Sequence, residues 1–172
     1  MKSKKKSLFK LLFRMVQVSL TVLIFFQICA CTHTNEVSCH EIMSEAMESE
    51  VNLPAGTLYS LSAGEGEKGY MSESFLYAMY GDVDTSLWLD ASIYVSSRLY
   101  PCEIAVIQCN SPTAAEDMAK LFCKRLTILK NAWDNSEKEY KYSSEVLIVG
   151  NFVAMVLSSD AQNTKRIILS ML

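Results

Sequence analysis

Cysteine and histidine carry the widest range of side-chain chemistry, and this chain has six of the first and two of the second. The histidines, His33 and His40, both fall near the N-terminus, and Cys39 adjoins His40. With Glu36 these could ligate a metal, but structural zinc sites present four ligands in two close pairs. No second pair exists here, so a polar linker is the simpler reading and no metal is expected. Histidine is absent from 41–172, which removes Ser-His-Asp and Cys-His arrangements from the core. Gly64, Gly66 and Gly69 lack the Lys-Ser/Thr that completes a phosphate loop. Asp82, Asp84 and Asp90 lack the glycine and closing glutamate of a calcium loop. They read as a solvated approach to a strand, and no cofactor is expected.

Four cysteines, Cys39, Cys102, Cys109 and Cys123, lie beyond residue 36. Cys102 and Cys109 share one extended run, which separates them by roughly 23 Å at 3.3 Å per residue and sends them to opposite faces. Cys123 lies roughly 16 Å along the following helix at 1.5 Å per residue. A helix folding back over the strand brings it near residue 104, so Cys102–Cys123 is the candidate disulfide. Free cysteines buried as small hydrophobes are the simpler reading, and no Cys-x-x-Cys pair supports redox catalysis. Arg125 is the one charge out of register on a largely apolar helix face. It is expected to pair with a buried carboxylate, with anion binding as the alternative. Trp88 and Tyr94 fall on the polar face of a strand and form the candidate binding surface, since aromatics anchor interfaces. A second core layer beneath a helix is the competing reading.

The elements that must position these residues are legible from periodicity. A helix is expected over 37–49, with Ile42 and Ala46 inward, ended by Asn52-Leu53-Pro54-Ala55-Gly56. A short strand at 57–62 and a Gly-rich loop precede a helix over 72–80 closed by Gly81. Leu87, Leu89, Ala91, Ile93 and Val95 alternate with polar residues along a strand at 86–96. The unbroken apolar run 102–109 fits a central strand covered on both faces. A long amphipathic helix over 113–131 follows Pro112, then two strands flank the Gly150-Asn151 turn. Asp160 caps a last helix at 161–171. The order α-β-α-β-β-α-β-β-α, with two tight strand-to-strand links, predicts a single α+β domain. Its sheet should be mainly antiparallel, with helices packed on it.

The first 31 residues read differently. Lys2, Lys4, Lys5, Lys6, Lys10 and Arg14 open the chain, and an uncharged, largely apolar stretch runs from Met15 to Ala30. This is the order of a signal peptide, whose basic end stays in the cytoplasm. Ile28-Cys29-Ala30-Cys31 resembles the lipobox of bacterial lipoproteins, in which an aliphatic residue stands three before the modified cysteine. Cys29 stands where Ala, Ser or Thr is commoner. The resemblance implies diacylglyceryl transfer to Cys31 and cleavage after Ala30. Two buried acyl chains anchor stably at about 0.8 kcal/mol per methylene. An uncleaved anchor needs roughly 20 apolar residues, more than Met15–Cys31 offers. The expected organisation is a leader at 1–30, a tether at 31–36 and the domain at 37–172, held on the outer face of the cytoplasmic membrane.

Sixteen basic residues less the six of the leader leave ten against 19 acidic ones, a net −9 for 31–172. Such a surface has no footprint for phosphate backbones, so nucleic acid is excluded as a partner. The runs Leu76-Tyr77-Ala78-Met79-Tyr80-Gly81-Asp82, Cys102–Ile107, Arg125-Leu126, Gly150-Asn151-Phe152-Val153 and Ser158-Ser159-Asp160 resemble the DUF4358 family. The resemblance covers roughly residues 40–160. It implies a small lipoprotein of Gram-positive bacteria, a family with no assigned activity, and brings no active site. The expected function is a non-catalytic accessory or binding module with an envelope protein as its partner. An extracytoplasmic hydrolase or thiol oxidoreductase is the alternative, and a structural spacer a third.

Overall fold

The computed structural model describes residues 37–50, 52–97, 102–134 and 141–172. The leader, Cys31, the tether, the Tyr100-Pro101 turn and most of the charged loop from Glu137 lie outside the described residues. The domain at 37–172 consists of α1 (Cys39–Glu48), β1 (Gly56–Ser60), α2 (Glu73–Tyr80), a 3-10 turn (Thr85–Leu87), β2 (Trp88–Ser96), β3 (Glu103–Cys109), α3 (Pro112–Asp134), β4 (Ser143–Val149), β5 (Phe152–Ser158) and α4 (Ala161–Met171). This is the expected α+β order. The five strands form one sheet in the order β1-β2-β3-β5-β4, with every pairing antiparallel.

Local chemistry sets the helix ends. Ser38 caps α1 in a reciprocal box with Glu41, each accepting from the other's backbone N–H. Ser72 caps α2 by accepting from Phe75 N–H, and Gly81 closes that helix at a φ of 83°. Asp160 accepts from Asn163 N–H and starts α4. Gly150 takes a φ of 59° in the β4–β5 turn, a conformation that favours glycine.

Helices cover both faces of the sheet. On one face, α3 buries Ala115, Met118, Phe122 and Leu126, at helical spacing, against Ile93, Ala105, Ile107, Val153 and Met155. Leu76 and Tyr80 of α2 join this layer. On the other, Cys39, Ile42, Met43 and Ala46 of α1 and Ile168 of α4 meet Tyr94, Ile104, Val106, Ala154 and Val156. All seven residues of β3 are buried, which explains why its sequence shows no alternation: both faces are core.

β2 departs from the expected alternation at its start. Trp88 pairs with Cys109 and Asp90 with Gln108, so Leu89 is an extra residue in a bulge. The bulge turns Trp88 into the same core as Ala91 and Ile93. Leu87 and Leu89, expected inward, are exposed, Leu89 at 59%.

Candidate functional site

The buried face of β3 that meets α3 begins with a charge. Glu103 opens the face it shares with Ala105 and Ile107, beneath α2 and α3. Arg125 reaches it from α3: Nη2 lies 2.8 Å from Oε2, and Nε 3.2 Å from both carboxylate oxygens. Tyr80 Oη donates to Oε1 at 3.4 Å, and Arg125 Nη2 also meets Met79 Sδ at 3.4 Å. The pair is desolvated, with side-chain exposures of 15% for Arg125 and 3% for Glu103. Burial raises the Glu103 carboxyl above its ordinary range, against the opposing pull of the Arg125 guanidinium and the Tyr80 hydroxyl. Burial also raises Tyr80. The carboxylate and guanidinium satisfy one another, so this cluster ties α2 and α3 to the sheet. The structural pairing expected for Arg125 is what the structure contains.

A second polar cluster lies under the opposite face, at the far end of α1. Glu50 is buried; Ser158 Oγ donates to its Oε1 at 2.5 Å and Ser159 Oγ to its Oε2 at 3.5 Å. Thr164 Oγ1 donates to Oε1 as well. Ser158 also accepts from Asp160 N–H, so the carboxylate sits over the start of α4, where the helix dipole favours a negative charge. No basic side chain in these bonds neutralises it. The sequence reading missed Glu50, because Met47-Glu48-Ser49-Glu50 looks like a solvated helix end. Glu50→Ala should cost about 2–3 kcal/mol, since leaving a buried donor without its acceptor costs about 1–3 kcal/mol and the Ser158 and Thr164 hydroxyls stay buried. Urea unfolding would read this, and an unchanged midpoint would show that the cluster contributes nothing.

The candidate binding surface at Trp88 and Tyr94 is corrected by the structure. Trp88 is 8% exposed and packs with the α3 layer; Tyr94 is 4% exposed and packs with the α1 layer, its hydroxyl donating to Pro54 O. The bulge at Leu89 and the cover of α1 account for the two burials. They lie on opposite faces and form no common surface.

The candidate disulfide Cys102–Cys123 is also corrected. Cys102 is buried in the α1 layer, whereas Cys123 is exposed on α3, which covers the other face. The sheet stands between them. Cys39, Cys102 and Cys109 are free and buried, and Cys123 is free. Burial pushes the Cys102 thiol up to about 12, aided by the charges of Glu50 and Glu103. Burial also raises Cys39 and Cys109, and for Cys39 the Asp90 charge adds to the effect. Thiolates are the reactive form, so native protein at pH 8 should release one reactive thiol from 37–172, Cys123, and denatured protein four. Rapid native modification of Cys102 would overturn the burial argument. An unfolded thiol ionises from its ordinary 9.0 upward while folded Cys102 holds its proton towards about 12. Stability is therefore retained below 9 and lost as pH climbs through that window.

His40 is exposed while its neighbour Cys39 is buried, so the two do not converge on one ion. No group of three or more candidate metal ligands occurs among the described residues. His33 lies outside them. Asp84 and Asp90 act as caps: Asp84 accepts from Ser86 N–H at 3.0 Å, and Asp90 from Cys39 N–H at 2.7 Å at the start of α1. A shallow open groove of about 550 Å³ runs beside α2, lined by Glu73, Ser74, Tyr77, Asp82, Val83 and Thr85 among others. Among the described residues, no helix is long and apolar enough to cross a membrane.

With this geometry in view, comparison with protein-family models, curated proteins and solved structures finds no match.

Proposed function

We propose that the chain is a lipoprotein of the cell envelope, anchored through Cys31 and acting as a non-catalytic accessory or binding module, of the kind the DUF4358 family comprises. The observation that carries this reading is the run from the basic Lys2–Arg14 through the uncharged Met15–Ala30 to Ile28-Cys29-Ala30-Cys31. Seven residues separate Cys31 from Cys39, the first residue of α1. The fate of the reactive groups supports the non-catalytic part. Glu103 and Arg125 neutralise each other, Glu50 is held by hydroxyls, and three thiols are buried with raised pKa. A hydrolase or oxidoreductase needs such groups free to meet substrate. The groove beside α2 and the exposed Tyr77 on it are the surface an envelope partner would use.

Mass spectrometry of the protein purified from membranes tests the anchor. The N-terminal peptide should begin at Cys31 and carry the added mass of the lipid. Cys31→Ala should accumulate with residues 1–30 still attached. Recovery of wild-type peptides from residues 7–30 would sink the reading.

A further inference from the structure

Among the described residues the exposed large apolar side chains are not spread evenly, and most of them gather at the end of the domain where α1 begins. The start of α1 lies at one end of the sheet, because Cys39 N–H donates to Asp90 at the beginning of β2. Leu87 O accepts from Asn110 N–H just past β3, and Cys109 N–H donates to Asn151 O in the β4–β5 turn. Leu87, Leu89 and the residues next to Gly150 therefore share that end. Ile148 lies two residues before the turn. α4 starts at the opposite end, where Thr164 meets Glu50, and Lys165 reaches Glu145 at 2.9 Å. It then runs alongside β4 towards the turn, which carries Leu169 and Leu172 to the tether end as well. Leu87, Leu89, Ile148, Leu169 and Leu172 are all exposed, from 37% to 59%.

We propose that this end of the domain is a lipid-docking surface, with Leu87, Leu89, Ile148, Leu169 and Leu172 resting in the interfacial layer of the bilayer to which Cys31 is attached. The proposal rests on the lipid anchor at Cys31. Five residues separate Cys31 from Val37, and the six residue steps between them reach about 20 Å at most. The anchor thus holds this end, and not the far end, against the membrane. Asp90, half-buried, accepts from Cys39 N–H, while Glu41 and Asp84 accept from Ser38 and Ser86 N–H and stay exposed, as do Glu116 and Asp117 in the first turns of α3. At a net −9 for 31–172, the domain gains nothing from anionic headgroups. Apolar burial therefore drives the docking, and a zwitterionic bilayer suffices.

The test uses the full lipidated protein in phosphatidylcholine vesicles, with Cys123→Ser removing the exposed thiol. Leu89→Cys, Leu172→Cys and Ile128→Cys each receive a fluorophore; Ile128 lies about 24 Å along α3 from the tether end at 1.5 Å per residue. Nitroxide-bearing lipids should quench the probes at 89 and 172 several-fold more than the probe at 128. High salt should leave the ratio unchanged. Equal quenching in an anchored protein would overturn the docking alone. Probes at 89 and 172 shielded from aqueous iodide yet not quenched by lipid would mean that a protein partner covers this end, which also overturns it. An N-terminal peptide without lipid, measured on the same sample, would remove both the anchor and the docking.

Discussion

Arg125→Met should destabilise the domain by about 3–5 kcal/mol, the usual cost of leaving a buried charge without its partner. Glu103 is 3% exposed in its side chain and would keep only the Tyr80 hydroxyl, at 3.4 Å. A domain of this size is typically stable by about 5–15 kcal/mol, so the variant would stand near the edge of folding. The pH dependence separates this from lost packing. Burial already raises the Glu103 carboxyl, and the guanidinium opposes that rise. Without Arg125 the folded carboxyl holds its proton still higher. The deficit should therefore be small below the ordinary carboxyl value of about 4.5 and grow as pH rises above it. Glu103→Gln combined with Arg125→Met should recover much of the loss, because the charge is gone and Gln can still accept from Tyr80. Urea unfolding at several pH values reads all three results. A loss below about 1 kcal/mol for the single variant, the range of exposed ion pairs, would show that water reaches the pair.

Phe122→Ala should cost about 3–5 kcal/mol through the cavity it leaves. Phe122 is fully buried, the largest such side chain, and its ring lies 5.5 Å from that of Tyr80 at a tilt of 59°. The tilted aromatic pair adds about 0.5–1.5 kcal/mol beyond area alone. Phe122→Leu, which keeps most of the volume, should lose less than half as much. Tyr80 touches both Phe122 and Glu103, so Phe122→Ala and Arg125→Met together should not add. Additivity within about 0.5 kcal/mol would mean that the aromatic contact and the ion pair act independently.

The architecture could be read from the sequence because its main cues are local. Gly150-Asn151 marks the hairpin, Ser72 and Gly81 bracket α2, and the three- and four-residue steps through Met118, Leu121, Phe122, Leu126 and Leu129 write the core-facing stripe of α3. The run Glu103–Cys109 announced a two-faced strand by its very lack of alternation. Arg125 stood out because a charge on an apolar helix face needs a buried partner.

What failed depends on contacts distant in sequence. The bulge at Leu89 shifts the phase of β2 by one residue, and no residue there announces it; a one-residue slip sends side chains to the other face. Trp88 followed that slip into the core, and Tyr94 was covered by α1, a helix more than forty residues earlier. Cys102 and Cys123 were placed by correct distances along their elements, but which face α3 covers is a matter of topology. Glu50 was invisible for the same reason, since its partners Ser158 and Thr164 are over a hundred residues away.

The position of α1 has a mechanical consequence. The chain from Cys31 enters the domain at the N-terminus of α1, and that helix lies along the sheet, from Asp90 at one end to Ser158 at the other. A pull on the N-terminus of α1 directed along the sheet therefore acts along the helix axis. It loads the packing of Cys39, Ile42, Met43 and Ala46 in shear, all at once, together with the Glu50 contacts at the rear. A helix attached crosswise would instead peel away one turn at a time. The first helix of the domain thus resists such a pull as a whole, and Glu50 is the pin at its far end.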